Sequence, residues 1–280
     1  MSGDTWKRRA MARCLAGRGI EVGALHNPLH LPAGVQVEYV DREPTSDLKR
    51  RYPEVGDLVP VSIIGDAHDL SAVDGESLDF VVANHLVEHL EDPIRGVLEL
   101  ARVLRPGGLL YCAIPDPRAT FDRRRPVTKI DHFVHEYRHG VEATRPAHVR
   151  EVVELAEFDG SEHPRDAQDI TARIKYLIDT NYSIHYHVFR PDTFMGLLGA
   201  IHLETGNAFE IVGFAPCDLG QDDEFIVVLA KGIDHSPRAI PVLVPGEHFP
   251  EPPEPRASEL IALLRLRVNA RMRRMLSRHW

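Results

Sequence analysis

Four short apolar runs in the first third of the chain each end in a residue able to hold a ligand. Gly19-Ile20-Glu21-Val22-Gly23 closes on a glycine, which lets a ligand approach the backbone with no Cβ in the way. The run over 35–40 leads into Asp41, twenty residues after Glu21; an acid there is suited to grip the two hydroxyls of a ribose. The run over 59–64 is followed by Gly65-Asp66-Ala67, whose carboxylate and backbone groups can face the edge of an adenine ring. The run over 78–83 is followed by Asn84-His85. One such feature alone reads as a turn or a helix cap; four in order, each at a strand end, point to a nucleoside site.

A second group lies further on. Eight of the sixteen histidines fall between Arg118 and Leu203, and the densest stretch is Lys129-Ile-Asp-His-Phe-Val-His-Glu-Tyr-Arg-His139. On a helix, His132, His135, Glu136 and His139 share one face. Three readings stand side by side: a polar wall that includes a general base, a scaffold, or a metal site made with His185 and His187. No ligand set is assigned, so no metal is expected, and the base is expected among His132 and His135. Arg118, Arg123, Arg124 and Arg125 either grip an anionic acceptor bidentately or pair with acidic neighbours.

The elements that must position these residues alternate. The runs over 19–23, 35–40, 59–64, 78–83 and 109–114 are short, rich in Val, Ile and Leu, and mostly not alternating, as strands buried on both faces are. A helix over 93–104 carries Ile94, Val97, Leu98, Ala101 and Leu104 at helical spacing, with Asp92 as N-cap and Pro93 in its first turn. A short helix precedes the first run, over 5–16, and the turn Pro106-Gly107-Gly108 precedes the fifth. Helices are predicted over 128–138, 147–157, 166–180 and 192–204, with a β-like stretch over 184–189 and a hairpin from 209–214 to 225–230. Strands separated by helices predict an α/β fold: a doubly wound, mostly parallel seven-stranded sheet with a terminal antiparallel hairpin, a helical lid insertion and a C-terminal helix.

The chain has 280 residues and a net charge of −9, but residues 256–280 hold seven Arg and one Glu, so the remainder carries −15. That acidic body argues against nucleic-acid binding. No run of 18 apolar residues is present, which predicts no transmembrane segment. Cys14, Cys112 and Cys217 show no CxxC spacing, and the charged N-terminus lacks an apolar signal core; a cytoplasmic protein is expected. There is no G-x-G-x-x-G between the first strand and a helix, so a dinucleotide pyrophosphate has no evident cradle.

Residues 19–116 resemble class I S-adenosylmethionine-dependent methyltransferases, on Glu21-Val-Gly-Ala-Leu-His-Asn-Pro-Leu29, Asp41, Gly65-Asp-Ala67, Asn84-His-Leu-Val-Glu-His-Leu-Glu-Asp-Pro93 and Leu104-Arg-Pro-Gly-Gly-Leu109. The resemblance implies S-adenosyl-L-methionine as cofactor, held by Glu21, Gly23, Ala24 and Leu25 in the first loop, Asp41 and Arg42 at the ribose, Asp66 and Ala67 at the adenine, and Asn84 and His85 near the methionine moiety. The chain departs from the family's E-x-G-x-G-x-G by Leu25 and Asn27 in place of the second and third glycines. It further implies methyl transfer to a small-molecule acceptor through oxygen, the insertion over 118–206 forming the lid. The alternative is a cofactor-binding but non-catalytic partner. The domain is expected over 1–231, a Pro-rich linker over 232–255, and a basic amphipathic helix over 256–280 that docks on the body, pairs in a homodimer or lies on an anionic membrane.

Overall fold

The aliphatic runs form the centre of a seven-stranded sheet in a computed structural model, which describes residues 5–157 and 167–232. The strands are β1 (Arg18–Val22), β2 (Gln36–Asp41), β3 (Val61–Ile64), β4 (Leu78–Asn84), β5 (Leu104–Pro115), β6 (Phe209–Ala215) and β7 (Glu224–Lys231), in the order β3-β2-β1-β4-β5-β7-β6. The first five pair in parallel, and β7 runs antiparallel between β5 and β6. Strand order therefore reverses between β1 and β4, and a crevice opens there beyond the strands' carboxyl ends. All described residues belong to one compact unit. The linker beyond Gly232 and the basic tail helix lie outside the described residues, and with them the expected dimer contact.

Seven α-helices accompany the described sheet: α1 (Trp6–Ala12), α2 (Thr45–Arg51), α3 (Pro93–Val103), α4 (Ile130–His139), α5 (Arg145–Val152), α6 (Ala167–Asp179) and α7 (Pro191–Thr205). α3 begins as its sequence predicts: Asp92 accepts the Arg95 N–H at 2.9 Å and Pro93 occupies the first turn. Its buried face, Ile94, Val97, Leu100, Ala101 and Val103, joins the core formed by β1, β4, β5 and β7. A single π-turn over Val153–Glu157 continues α5. No described helix is long and apolar enough to cross a membrane.

Two expectations change. Pro106-Gly107-Gly108 lies within β5 instead of before it; the pairing with β4 jumps from Leu78↔Leu104 to Phe80↔Leu109, and the extra residues are taken up in a bulge with Gly107 at φ +72°. The stretch Ile184–Phe189 is buried and extended, but it joins no strand. Its polar groups find partners in loops: the His187 N–H donates to the Glu88 carbonyl at 3.2 Å, and Thr128 and Val188 exchange bonds of 3.0 Å.

Close approach at the sheet centre depends on Gly19. A Cβ there would stand 2.4 Å from the Phe80 carbonyl oxygen and 2.5 Å from its ring, both fixed in β4. Gly19→Ala should therefore lower stability by about 1–3 kcal/mol, the usual cost of overpacking, as read by chemical denaturation.

Candidate functional site

A cavity of about 950 Å³ opens at the carboxyl ends of β1, β2, β3 and β4. Its floor is set by a buried carboxylate. Both Glu21 oxygens accept the Leu29 N–H at 3.0 Å, and Oε1 also accepts from Asn84 Nδ2 at 3.2 Å. The first bond pins the loop that follows β1; the second ties that loop to the end of β4. The loop itself turns through two left-handed residues, Gly23 at φ +71° and Leu25 at φ +49°. The Gly23 N–H donates to the Val40 carbonyl at 2.9 Å and the Leu25 carbonyl accepts from Val59 at 2.8 Å, so β2 and the approach to β3 support that strain.

Of the residues singled out in the sequence, Gly23, Leu25, Asp41 and Arg42 line the cavity on one side. Asp66, Ala67 and His85 line it further along. Glu21 and Asn84 do not line it: each is buried beneath the wall, where their mutual bond and the Leu29 bond act on the loop. Ala24 is likewise buried outside the lining. Asp66 Oδ1 accepts the N–H groups of His68 and Asp69 at 2.7 and 3.2 Å, which shapes the turn after β3. Burial raises the pKa of Asp41, against the bond from the Arg42 N–H at 2.7 Å.

The two histidines expected to carry the base do not reach this cavity. His132 turns inward toward Glu136, His148 and His187, whereas His135 stands exposed with its ring 4.8 Å from that of His139. The helical face drawn through all four is split because the core covers only its His132–Glu136 edge. The arginines are also engaged elsewhere. Arg118 forks onto Asp116 at 2.9 and 2.7 Å, and buried Arg125 bonds Asp122 and Glu151 at 2.7 and 2.9 Å. Neither argues for an anionic acceptor.

The cavity's other wall comes from residues that sequence reasoning missed. Tyr52, at the C-terminal end of α2, faces Tyr182, Ser183 and Tyr186 from the insertion, with Glu91 and Arg145 paired at 2.9 Å. No local pattern in the sequence marks them; among the described residues, three of the four non-glycine residues with positive φ, Leu25, His85 and Asn181, also line this cavity. His89 also lines it; its Nδ1–H donates to the Ile184 carbonyl at 2.8 Å, and burial with the nearby His185 pushes its pKa down to about 3, so the ring is neutral. His85 differs. Burial works against its charge, but its Nε2–H donates to Glu224 Oε2 at 2.8 Å, and that bond with the charges of Glu88 and Glu224 raises its pKa. Glu224 in turn is forked by Arg8, with Nε to Oε1 at 2.7 Å, and is held at about 2 by Arg8 and His85 despite burial, so it stays ionised.

Residues 16–112 match the protein family described as a methyltransferase domain, and this stretch contains β1 to β4 with the loops that floor the cavity. The chain carries a methyltransferase domain over this stretch, about a third of its length. A curated relative, an uncharacterized 37.1 kDa protein in transposon TN4556 of Streptomyces fradiae, is 33% identical over 100 residues, which is 36% of this chain and 28% of that protein. The chain thus spans little more than a quarter of that relative's length. Among solved structures, a methyltransferase from Mesorhizobium loti is 16% identical with TM-score 0.44, covering 80% of this chain and 95% of its own. Another from Thermotoga maritima is 17% identical with TM-score 0.40, covering 80% and 90%.

The cavity residues fit S-adenosylmethionine, the cofactor that the sequence resemblance implies. At Gly23 an added Cβ would meet nothing nearer than Leu86 at 3.8 Å, so this wall is open backbone, and the Asp41 carboxylate stands in the lining beside it. The buried floor has its own pH signature. Burial raises Glu21 to a pKa of about 7, against the Leu29 and Asn84 bonds. A carboxyl raised on folding contributes stability below its unfolded value near 4.5 and loses it as pH rises through about 7. Glu21→Gln keeps an acceptor for Leu29 and cannot ionise. Its stability should therefore change less than that of the wild type between pH 4.5 and 7 in denaturation series at stepped pH.

Proposed function

We propose that the protein transfers a methyl group from S-adenosylmethionine to a hydroxyl oxygen of a small-molecule acceptor, with His85 as the base. The observation that carries this reading is His85, in the cavity wall just after β4, bonded to buried Glu224 behind it. The cofactor supplies an electrophilic methyl group on its sulfonium. In this reading the chain's own residues do three things. Asp41 accepts from the ribose hydroxyls, Asp66 and the Ala67 backbone meet the adenine edge, and Gly23 and Leu25 let the ligand lie against the backbone. The insertion, through Tyr182, Ser183 and Tyr186, closes the acceptor side and excludes water. Holding donor and acceptor in line supplies roughly 7–11 kcal/mol of the barrier in well-oriented systems.

A hydroxyl acceptor must also lose a proton. With Nε2–H donated to ionised Glu224, the neutral His85 ring keeps a lone pair on Nδ1 for that proton, and Glu224 stabilises the resulting imidazolium. His89, neutral and with its Nδ1–H committed to a carbonyl, is the weaker base. The competing reading, a cofactor-binding subunit without activity, rested on the missing glycines. The left-handed Leu25 makes the turn without them, which favours the catalytic reading.

Two measurements test the proposal. Asp41→Ala should weaken S-adenosylmethionine binding about tenfold to a hundredfold by calorimetry, since hydrogen bonds to a charged group are worth roughly 1.5–3 kcal/mol. Unchanged affinity would remove Asp41 from the ribose. With an acceptor in hand, His85→Ala should lower turnover about 10²–10⁴-fold, while His135→Ala on the exposed helix face leaves it within about twofold. Wild-type turnover should rise with pH through a value above the ordinary histidine 6.5, because the raised pKa keeps the base protonated below it. Cofactor binding without turnover of any acceptor would favour the non-catalytic reading.

A further inference from the structure

Behind the acceptor-side wall, three histidines and a glutamate converge. His132 and Glu136 lie one turn apart on α4, His148 on α5, and His187 in the extended stretch after α6. A ring nitrogen from each histidine and a carboxylate oxygen all lie within 4.8 Å of one another. Glu136 Oε1 is 3.0 Å from His132 Nε2 and 2.8 Å from His148 Nε2, and those two nitrogens are 3.0 Å apart. Glu136 Oε2 is 3.3 Å from His187 Nε2. The side chains of Glu136 and His187 are fully buried, His148 is 10% exposed and His132 32%.

Hydrogen bonding alone leaves this cluster incompletely satisfied. Glu136 Oε2 and His187 Nδ1 are buried with no hydrogen-bond partner, and His187 Nε2 stands 3.3 Å from both Glu136 Oε2 and the Glu91 carbonyl oxygen, a long contact to each. Two imidazole nitrogens also crowd one oxygen. A divalent cation would take a lone pair from each ligand and turn that crowding into coordination. Tetrahedral zinc, with bonds of about 2.0–2.1 Å, needs ligand–ligand separations of about 3.3–3.4 Å. The contacts above run from 2.8 to 3.3 Å and use both Glu136 oxygens, so the ligands would open around the ion and the carboxylate would turn one oxygen to it. The outer contacts suit the same role: Thr144 Oγ1 donates to Glu136 Oε1 at 2.6 Å and orients the carboxylate.

We propose that His132, Glu136, His148 and His187 form a structural zinc site that fastens the insertion and thereby the acceptor-side wall. Four protein ligands close the coordination shell, so the ion holds structure and takes no part in the transfer. Its position explains what it would hold. Gly140, Val141, Glu142 and Arg145 line the cavity and lie between ligands Glu136 and His148 in the chain; Tyr186, also in the lining, immediately precedes His187. The ion therefore spans both segments that face the acceptor space. The proposal stands whether or not His85 is the base.

The test uses the full chain without a polyhistidine tag. Elemental analysis after dialysis should find one zinc per chain, and cobalt substituted for it should show the visible bands of a four-coordinate ion. His132→Ala removes the most exposed ligand and is the variant best placed to fold. Competition with a chromophoric chelator should show its zinc affinity reduced by more than about 10²-fold, beyond the loss typical of outer-shell changes. Glu136→Gln should weaken binding in the same assay. A chelator should lower the Tm of the wild type and leave that of His132→Ala nearly unchanged. The double variant His135→Ala/His139→Ala, on the outer face of α4, should keep its zinc. Loss of zinc in that double variant, retention of wild-type affinity in His132→Ala, or wild-type protein that binds no zinc when zinc is supplied would each overturn the proposal. Because every readout is metal content, spectrum or stability, failure here is distinct from failure of the methyl-transfer reading.

Discussion

A carboxylate that never meets solvent anchors the centre of this molecule. Glu21 sits in β1 at the point where the strand order reverses, and its oxygens hold the amide of Leu29 and the side chain of Asn84. Those bonds fix the far end of the loop after β1, while the bonds of Gly23 to Val40 and of Leu25 to Val59 hold its two left-handed residues along the cavity wall. The cost of burying Glu21 is visible in its raised pKa. The crevice that a reversed strand order creates is thus given a defined floor by one ionisable group placed beneath it.

The same device recurs around the cavity. Glu224 joins α1, through Arg8, to β7 and to His85. Glu136 gathers α4, α5 and the extended stretch through three histidines. Breaking one partner of such a buried set costs far more than the set contributes net, because it leaves an uncompensated charge. These hubs define which loops can move independently. The floor is fastened through Glu21, and the opposite wall depends on Glu136 and its histidines. The two walls therefore rest on separate buried carboxylates.

The insertion also shows why backbone polarity matters as much as side-chain chemistry. Ile184–Phe189 has the composition of a strand, and its backbone is extended, yet the groups facing it are loop carbonyls, Thr128 and Arg125. It is satisfied one bond at a time by partners far away in the chain. That arrangement places Tyr186 in the cavity while His187, the next residue, points into the cluster behind the wall, since successive residues of an extended chain face opposite ways.

The sequence alone determined the parallel strands, their order of appearance and the cavity-lining ends at Gly23, Asp41, Asp66 and His85, because residues buried on both faces of a sheet must be apolar without interruption and the polar residue that follows marks the strand end. It did not show α2, a seven-residue helix that buries only Leu48 and so carries almost no periodic signal, although its end presents Tyr52 to the cavity. Nor did it separate His132 from His135. Their directions on α4 differ by about 60° at 100° per residue, close enough to share a face on paper, and only the packing of α5 and the extended stretch decides where that face is cut. His85 shows the same limit from the other side. Its place after β4 was legible, but its partner Glu224 lies 139 residues away at the start of an antiparallel strand. Short-range patterns report which surfaces must be buried; which charged groups meet across the molecule is settled only when the sheet brings β4 and β7 to either side of β5.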